Sequence, residues 1–125
     1  MWVGRLWVPD APAFDSSEEE CGVVIGIRRK GWLYGREFLR VRNDADNPAE
    51  HFRMHLPLSI LSDVVATFHT HPATEAFLAP SEHDRAVSTR IGLYGLVIAP
   101  DGRLRTYLGH YTSPVAHNSK RRRIR

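Results

Sequence analysis

One stretch, Asp63 to Asp84, constrains the fold more than any other part of the chain. Asp63–Thr70 (DVVATFHT) is rich in β-branched residues and predicts a strand. Its end carries His69 and His71, two residues apart, and positions i and i+2 of a strand point to one face. A loop bounded by Pro72 and Pro80 follows, and then Ser81-Glu82-His83-Asp84. Serine after proline, with carboxylates in the next turn, is a helix start signal. The helix is predicted to run to about Ile91, with Gly92 ending it. A strand end and a helix start joined by one loop can converge on a point, and every residue type at that point can do chemistry.

The remaining pattern supplies a sheet for that strand. Trp2–Val8, Cys21–Ile27, Trp32–Val41, the alternating Phe52, Met54 and Leu56, Leu93–Ala99 and Leu104–Leu108 each read as strands. Between them lie turn clusters at Arg28–Gly31, Asn43–Pro48 and Pro100–Gly102, and Ser59–Ser62 reads as a turn of helix. Many strands with one clear helix describe a small single α+β domain, and 125 residues suit one such domain. No apolar run approaches the roughly 18–20 residues of a membrane span. Trp2 to Leu6 does not read as a secretory signal, so the expected compartment is the cytoplasm.

Charge is distributed unevenly. Of the 17 basic residues, five lie in the last six positions (Lys120 to Arg125), leaving twelve against fourteen acidic residues elsewhere. The body is therefore slightly acidic, and nucleic acid is not an expected partner beyond weak contacts of the tail. Residues 1–116 are expected to form the domain and 117–125 a solvated basic tail.

A single cysteine, Cys21, excludes an internal disulfide and a Cys-rich zinc site, so the histidines and carboxylates must carry any metal chemistry. His69 and His71 give two ligands on one strand face. Asp84 gives a third from the first helical turn, on the face it shares with Ser81. Two imidazoles and one carboxylate with an open fourth position describe catalytic rather than structural zinc. Each part has a plainer reading: His-x-His as surface or core polarity, Ser81 as a cap, Asp84 as a carboxylate favoured by the helix dipole. Together they are far more specific. His69-x-His71-x-x-x-Glu75 also fits a metal motif of cupin barrels with His110 as a distant partner, but that reading leaves the helix start unexplained. Cys21 lies inside an apolar run and reads as a packing residue rather than a nucleophile.

His69-Thr70-His71-Pro72 followed by Pro80-Ser81-Glu82-His83-Asp84 resembles the signature of the JAMM/MPN-plus (JAB/Mov34-type) zinc metalloproteases. Glu19-Glu20-Cys21-Gly22-Val23-Val24-Ile25-Gly26 resembles the same family's Glu-x-x-Gly segment, and Asn43 to Phe52 its Asn-containing turn before a Phe-bearing strand. The resemblance spans roughly residues 19–108 and implies a mixed curved sheet with few helices, of the cytidine-deaminase-like kind. It implies zinc held by His69, His71 and Asp84, Glu19 as general base and Ser81 as a donor to the oxyanion. Two features depart from the family pattern. The loop from Pro72 to Pro80 is longer than usual and places Phe77 and Leu78 beside the site. Only Asp10–Glu18 stands where a long helix normally precedes the glutamate, which keeps Glu18 and Glu20 as substitutes for Glu19. The implied reaction is hydrolysis of an amide bond, first of all after the C-terminus of ubiquitin or a ubiquitin-like protein. Release of an amino acid from a sulfur-carrier protein, cell-wall cleavage in a phage tail and a metal-free scaffold are the alternatives.

Overall fold

The computed structural model describes residues 5–14, 20–42, 58–71, 79–113 and 116–117. The expected turn at 43–48, the strand at Phe52–Leu56, Trp2, Glu18, Glu19, Phe77, Leu78 and residues 118–125 lie outside that set.

Three long apolar runs become the centre of one sheet. They are β2 (Cys21–Arg29), β4 (Val64–Thr70) and β5 (Tyr94–Ile98), preceded by the short β1 (Arg5–Val8). Around them stand β3 (Trp32–Val41), β6 (Leu104–Leu108), β7 (Tyr111–Ser113) and β8 (Ala116–His117). The strand order is β7-β6-β5-β4-β2-β3-β1-β8, a mixed eight-stranded sheet. Strands β2 and β3 form an antiparallel hairpin. Its two-residue turn uses Lys30 and Gly31, both at positive φ, the geometry that matches strand twist. The strand therefore runs two residues further than the sequence suggests, because Arg28 and Arg29 continue the ladder opposite Leu33 and Trp32. Arg28 also donates to the Val64 carbonyl at 3.0 Å, tying the hairpin to the start of β4.

β4 and β5 are parallel, so they need a crossover, and the helix α1 (Glu82–Ile91) supplies it. The helix begins at Ser81 and ends with Gly92 in the left-handed region at φ 71°, as its sequence predicts. The expected turn of helix at 59–62 is a 3-10 turn, Leu58–Asp63. One face of the central strands presents Val24, Ala66, Phe68, Leu96 and Ile98 to a core that includes Leu6, Val8 and Leu33. Phe68 is fully buried, with Phe14 and Phe38 at ring-centroid distances of 5.4 and 5.3 Å. The other face of β4 and β5 carries His69 and Val97.

Two short strands escape sequence reading. β7 extends the sheet beyond β6, and β8 pairs with β1 in parallel, Val8 opposite His117. His117, the first residue of the expected tail, is thus a strand residue. Among the described residues no helix is long and apolar enough to cross a membrane.

Candidate metal centre

The site forms where β4 runs out. Cys21 pairs with His69 across the β2–β4 ladder. One residue on, the pairing continues outside regular strand: Thr70 N–H donates to the Glu20 carbonyl at 2.8 Å, and Glu20 N–H to Thr70 Oγ1 at 2.9 Å. His71 N–H donates to the Ile98 carbonyl at 3.1 Å, prolonging the β4–β5 ladder. Both flanks of the His-Thr-His segment are therefore fixed by main-chain bonds, with Thr70 as the pin between them. The two imidazoles lie 5.4 Å apart, centroid to centroid.

Asp84 arrives from the helix. Ser81 Oγ accepts from the Asp84 N–H at 3.0 Å, and Asp84 Oδ2 accepts from the Ser81 N–H at 2.8 Å. This reciprocal capping box sets the first turn, and it aims the Asp84 carboxylate at the sheet. Asp84 Oδ2 stands 3.4 Å from His69 Nε2, with both side chains almost fully buried. The plain reading of Ser81 and Asp84 as a cap holds, and the cap is the device that positions the carboxylate beside His69.

The helix is held in turn by the turn after β6. Arg85 Nη1 donates to the Gly109 carbonyl at 3.0 Å, and Gly109 N–H donates to Ser88 Oγ at 2.8 Å. Tyr107 packs beside His69 with centroids 6.5 Å apart. That approach needs Gly95 on the adjacent strand, since any Cβ there would overlap the Tyr107 ring.

Burial pushes the His69 imidazole down from 6.5 to about 4, against the pull of the Asp84 carboxylate. His69 is therefore neutral at pH 7, the form in which an imidazole coordinates metal. Burial, with Asp84 adding to it, also raises the Tyr107 phenol, so it stays protonated.

Exposure rises across the site. His69 is 2% exposed and Asp84 8%, His71 is half-buried, and Ser81 is open to solvent. The donor types suit zinc, two imidazoles and a carboxylate. Their arrangement is a close His69–Asp84 pair with His71 alongside. Among the described residues no group of three His, Cys, Asp or Glu side chains is gathered as a ready metal cluster.

Of the sequence-predicted residues, the structure brings together His69, His71, Ser81 and Asp84 and leaves Glu19 outside the described residues. Glu20, the substitute, meets Arg40 Nε at 3.5 Å. Cys21 is buried, and its thiol contacts the Val41 carbonyl at 3.6 Å, as a packing residue would. His110 is an exposed residue 3.9 Å from Glu82. Sequence reading missed Thr70, Arg40 and Tyr107. Only Tyr107 left a trace, in the glycine interrupting the β-prone run 93–99.

The helix-crossed mixed sheet and the site at its β4 end define a JAB-type domain. The chain belongs to the family of prokaryotic homologs of the JAB domain (Prok-JAB), which it matches over residues 12–110. Its fold is similar to the solution structure of protein DSY2949 from Desulfitobacterium hafniense, at 21% identity and a TM-score of 0.64, covering 90% of this chain and 92% of that one. It also matches AF2198, a JAB1/MPN domain protein from Archaeoglobus fulgidus, at 15% identity and a TM-score of 0.48, covering 92% and 97%. A search of curated proteins finds no match.

Proposed function

We propose that this domain is a zinc-dependent peptidase or isopeptidase that hydrolyses an amide bond after the C-terminus of ubiquitin or a ubiquitin-like protein. The observation that carries the reading is the approach of Asp84 to His69 at 3.4 Å, beside His71 and below the exposed Ser81. His69, His71 and Asp84 are the residues that would hold the metal. Bound there, zinc supplies Lewis acidity and lowers the pKa of water toward ~7.

The protein's own groups divide the remaining work. Ser81 Oγ accepts from the Asp84 N–H, so its own O–H proton remains to be donated, and its exposure lets that proton reach a developing oxyanion. Glu19 is the general base, taking a proton from water and returning it to the leaving amine. Glu20 supports this assignment over its neighbour. Its carboxylate meets Arg40 at 3.5 Å and its main chain is bonded to Thr70 next to His71, which counts against Glu20 as the base.

The test is zinc content together with cleavage. One zinc per chain and release of an amine from a ubiquitin-like C-terminus, both lost in His69→Ala, support the reading. A second reading is a metal-free scaffold domain, in which the Ser81–Asp84 capping box has only its structural role. Zinc-free protein that neither recruits zinc nor cleaves any C-terminal amide would select it.

A further inference from the structure

One end of the sheet departs in charge from the rest of the body. β1 and residues 21–36, which run through the β2–β3 turn, hold Arg5, Arg28, Arg29, Lys30 and Arg36 and no aspartate or glutamate. The slight acidity of the body is an average that conceals this end. Trp7, Trp32 and Tyr34 stand among the same cations.

The fold gathers these residues on one surface. Leu6 and Leu33 belong to the core, so Arg5, Trp7, Trp32 and Tyr34, which alternate with them, share the opposite face. Register places Arg5 and Arg29 on either side of Trp32, and Trp7 beside Tyr34. The Arg5 N–H donates to the Gly31 carbonyl at 2.9 Å, fixing the start of β1 against the hairpin turn. The Arg5 guanidinium lies over the Trp32 ring at 5.0 Å. The Trp32 and Tyr34 rings are 5.8 Å apart, with planes 20° from parallel. Arg5, Arg29 and Lys30 are exposed, and so is Tyr34, at 37%.

We propose that this aromatic and cationic face binds single-stranded nucleic acid. A guanidinium laid on an indole keeps its N–H edge for a phosphate oxygen. Aromatic rings beside such donors suit a strand that alternates phosphate and base, and stacking accepts any base. A peptide of aspartate and glutamate would engage the cations but has no plane to lay against Tyr34. A duplex keeps its base faces stacked inside the helix, out of reach. A second observation points the same way. β8 pairs with β1 at Trp7 and Val8, and three residues after His117 the sequence enters Lys120–Arg125 with five cations. The basic run is therefore tethered to the edge of the aromatic face, where it adds charge for phosphates.

This face is separate from the metal centre. Cys21 pairs with His69 at one end of β2, and Arg29 ends that strand roughly 26 Å away at ~3.3 Å per residue. The proposal does not rest on the peptidase reading, and both surfaces can be occupied together.

The test is fluorescence anisotropy of the full chain with a labelled oligothymidylate of about 12 nucleotides, within the ~4–16 that one binding domain covers. Binding is expected at about 0.15 M salt, with tryptophan fluorescence quenched as bases stack. Tyr34→Ala should weaken it about 10-fold or more, and Tyr34→Phe, which keeps the ring, should retain it. Arg29→Glu, at an exposed position, should weaken binding and flatten its salt dependence, and it keeps the test open should Tyr34→Ala fail to fold. A duplex of equal length and polyglutamate of matched charge should each bind at least about 10-fold more weakly. Lack of binding to oligothymidylate overturns the proposal. So does binding that Tyr34→Ala and Arg29→Glu leave unchanged, which assigns the nucleic acid to the basic tail alone. Duplex bound as tightly removes the stacking, and polyglutamate bound as tightly makes an acidic protein the partner; either overturns it too.

Discussion

The two sides of the site are held by different means. On the helix side, Asp84 is fixed by a reciprocal cap with Ser81, and the helix is fixed by Arg85 and Ser88 against Gly109. On the opposite side, segment 11–14 belongs to no strand; Phe14 packs on the buried Phe68, and Arg40 of β3 ties the segment to the sheet. Bonds that belong to a helix cap come with the helix, because orphan N–H groups there must be satisfied in any case. A segment held by a ring contact and one long, half-exposed side chain has no such guarantee. The His69–Asp84 geometry is thus built into the secondary structure, while segment 11–14 depends on tertiary contacts, of which a single substitution can remove the share that Arg40 supplies.

The largest effect should come from breaking the cap and the carboxylate together. Asp84→Ala is expected to lose most of its zinc, and the helix start loses its reciprocal bond, at a cost of about 1 kcal/mol. Metal analysis and a denaturation midpoint read the two losses separately. Asp84→Asn, which keeps an acceptor for the Ser81 N–H, should recover most of the stability and little of the zinc. Equal zinc in wild type and Asp84→Ala would remove Asp84 from the ligand set.

Next in size is the base. Glu19→Gln should retain zinc and lose activity by about 10²–10⁴-fold, the usual contribution of general acid–base catalysis. Glu20→Gln should lose far less, because that carboxylate faces Arg40. A dead Glu20→Gln beside an active Glu19→Gln would reverse the assignment and make Arg40 a partner of the base.

The unequal anchoring also decides what could be read from sequence. The helix side was legible because caps are local: Ser81, Asp84 and Gly92 are separated by a few residues, and the pattern names their roles. His69 and His71 were legible for the same reason, since strand alternation acts over two residues. The tether is invisible in the chain, because Arg40 and Ala13 are 27 positions apart and neither belongs to a motif. β7 and β8, of three and two residues, are too short to show alternation, and the pairing of β8 with β1 is a tertiary event. Nothing in the sequence marks Thr70 between the two histidines. Its role as the pin for Glu20 exists only once β2 lies beside β4.

The buried pair predicts a pH dependence confined to the helix side. In zinc-free protein His69 titrates near pH 4, whereas in the unfolded chain it titrates near 6.5. Between those values the unfolded state binds the extra proton, so its contribution to stability is complete above pH 6.5 and fades as pH falls toward 4. The loss should be about 3 kcal/mol at most. His69→Gln should flatten that part of the stability profile measured by urea unfolding. An unchanged slope would mean that His69 is open to water in solution.

The smallest effect, and the sharpest test of the contrast, comes from cutting the tether. Arg40→Ala removes an ion pair, a stacked cation and a donor to the Ala13 carbonyl. The Arg40 side chain is 51% exposed, so each contact is weakened by water, and the combined loss of stability should be about 1 kcal/mol. Zinc content should not change, because no metal-site residue is bonded to Arg40 among the contacts of the helix side. What should change is segment 11–14: protease cleavage within residues 9–14 should quicken. Arg40→Lys keeps the charge but not the planar face over Phe14, so it should restore only part of the protection from cleavage. If Arg40→Ala instead lost zinc as readily as Asp84→Ala does, the two sides would be one mechanical unit, and the division drawn between them would fail.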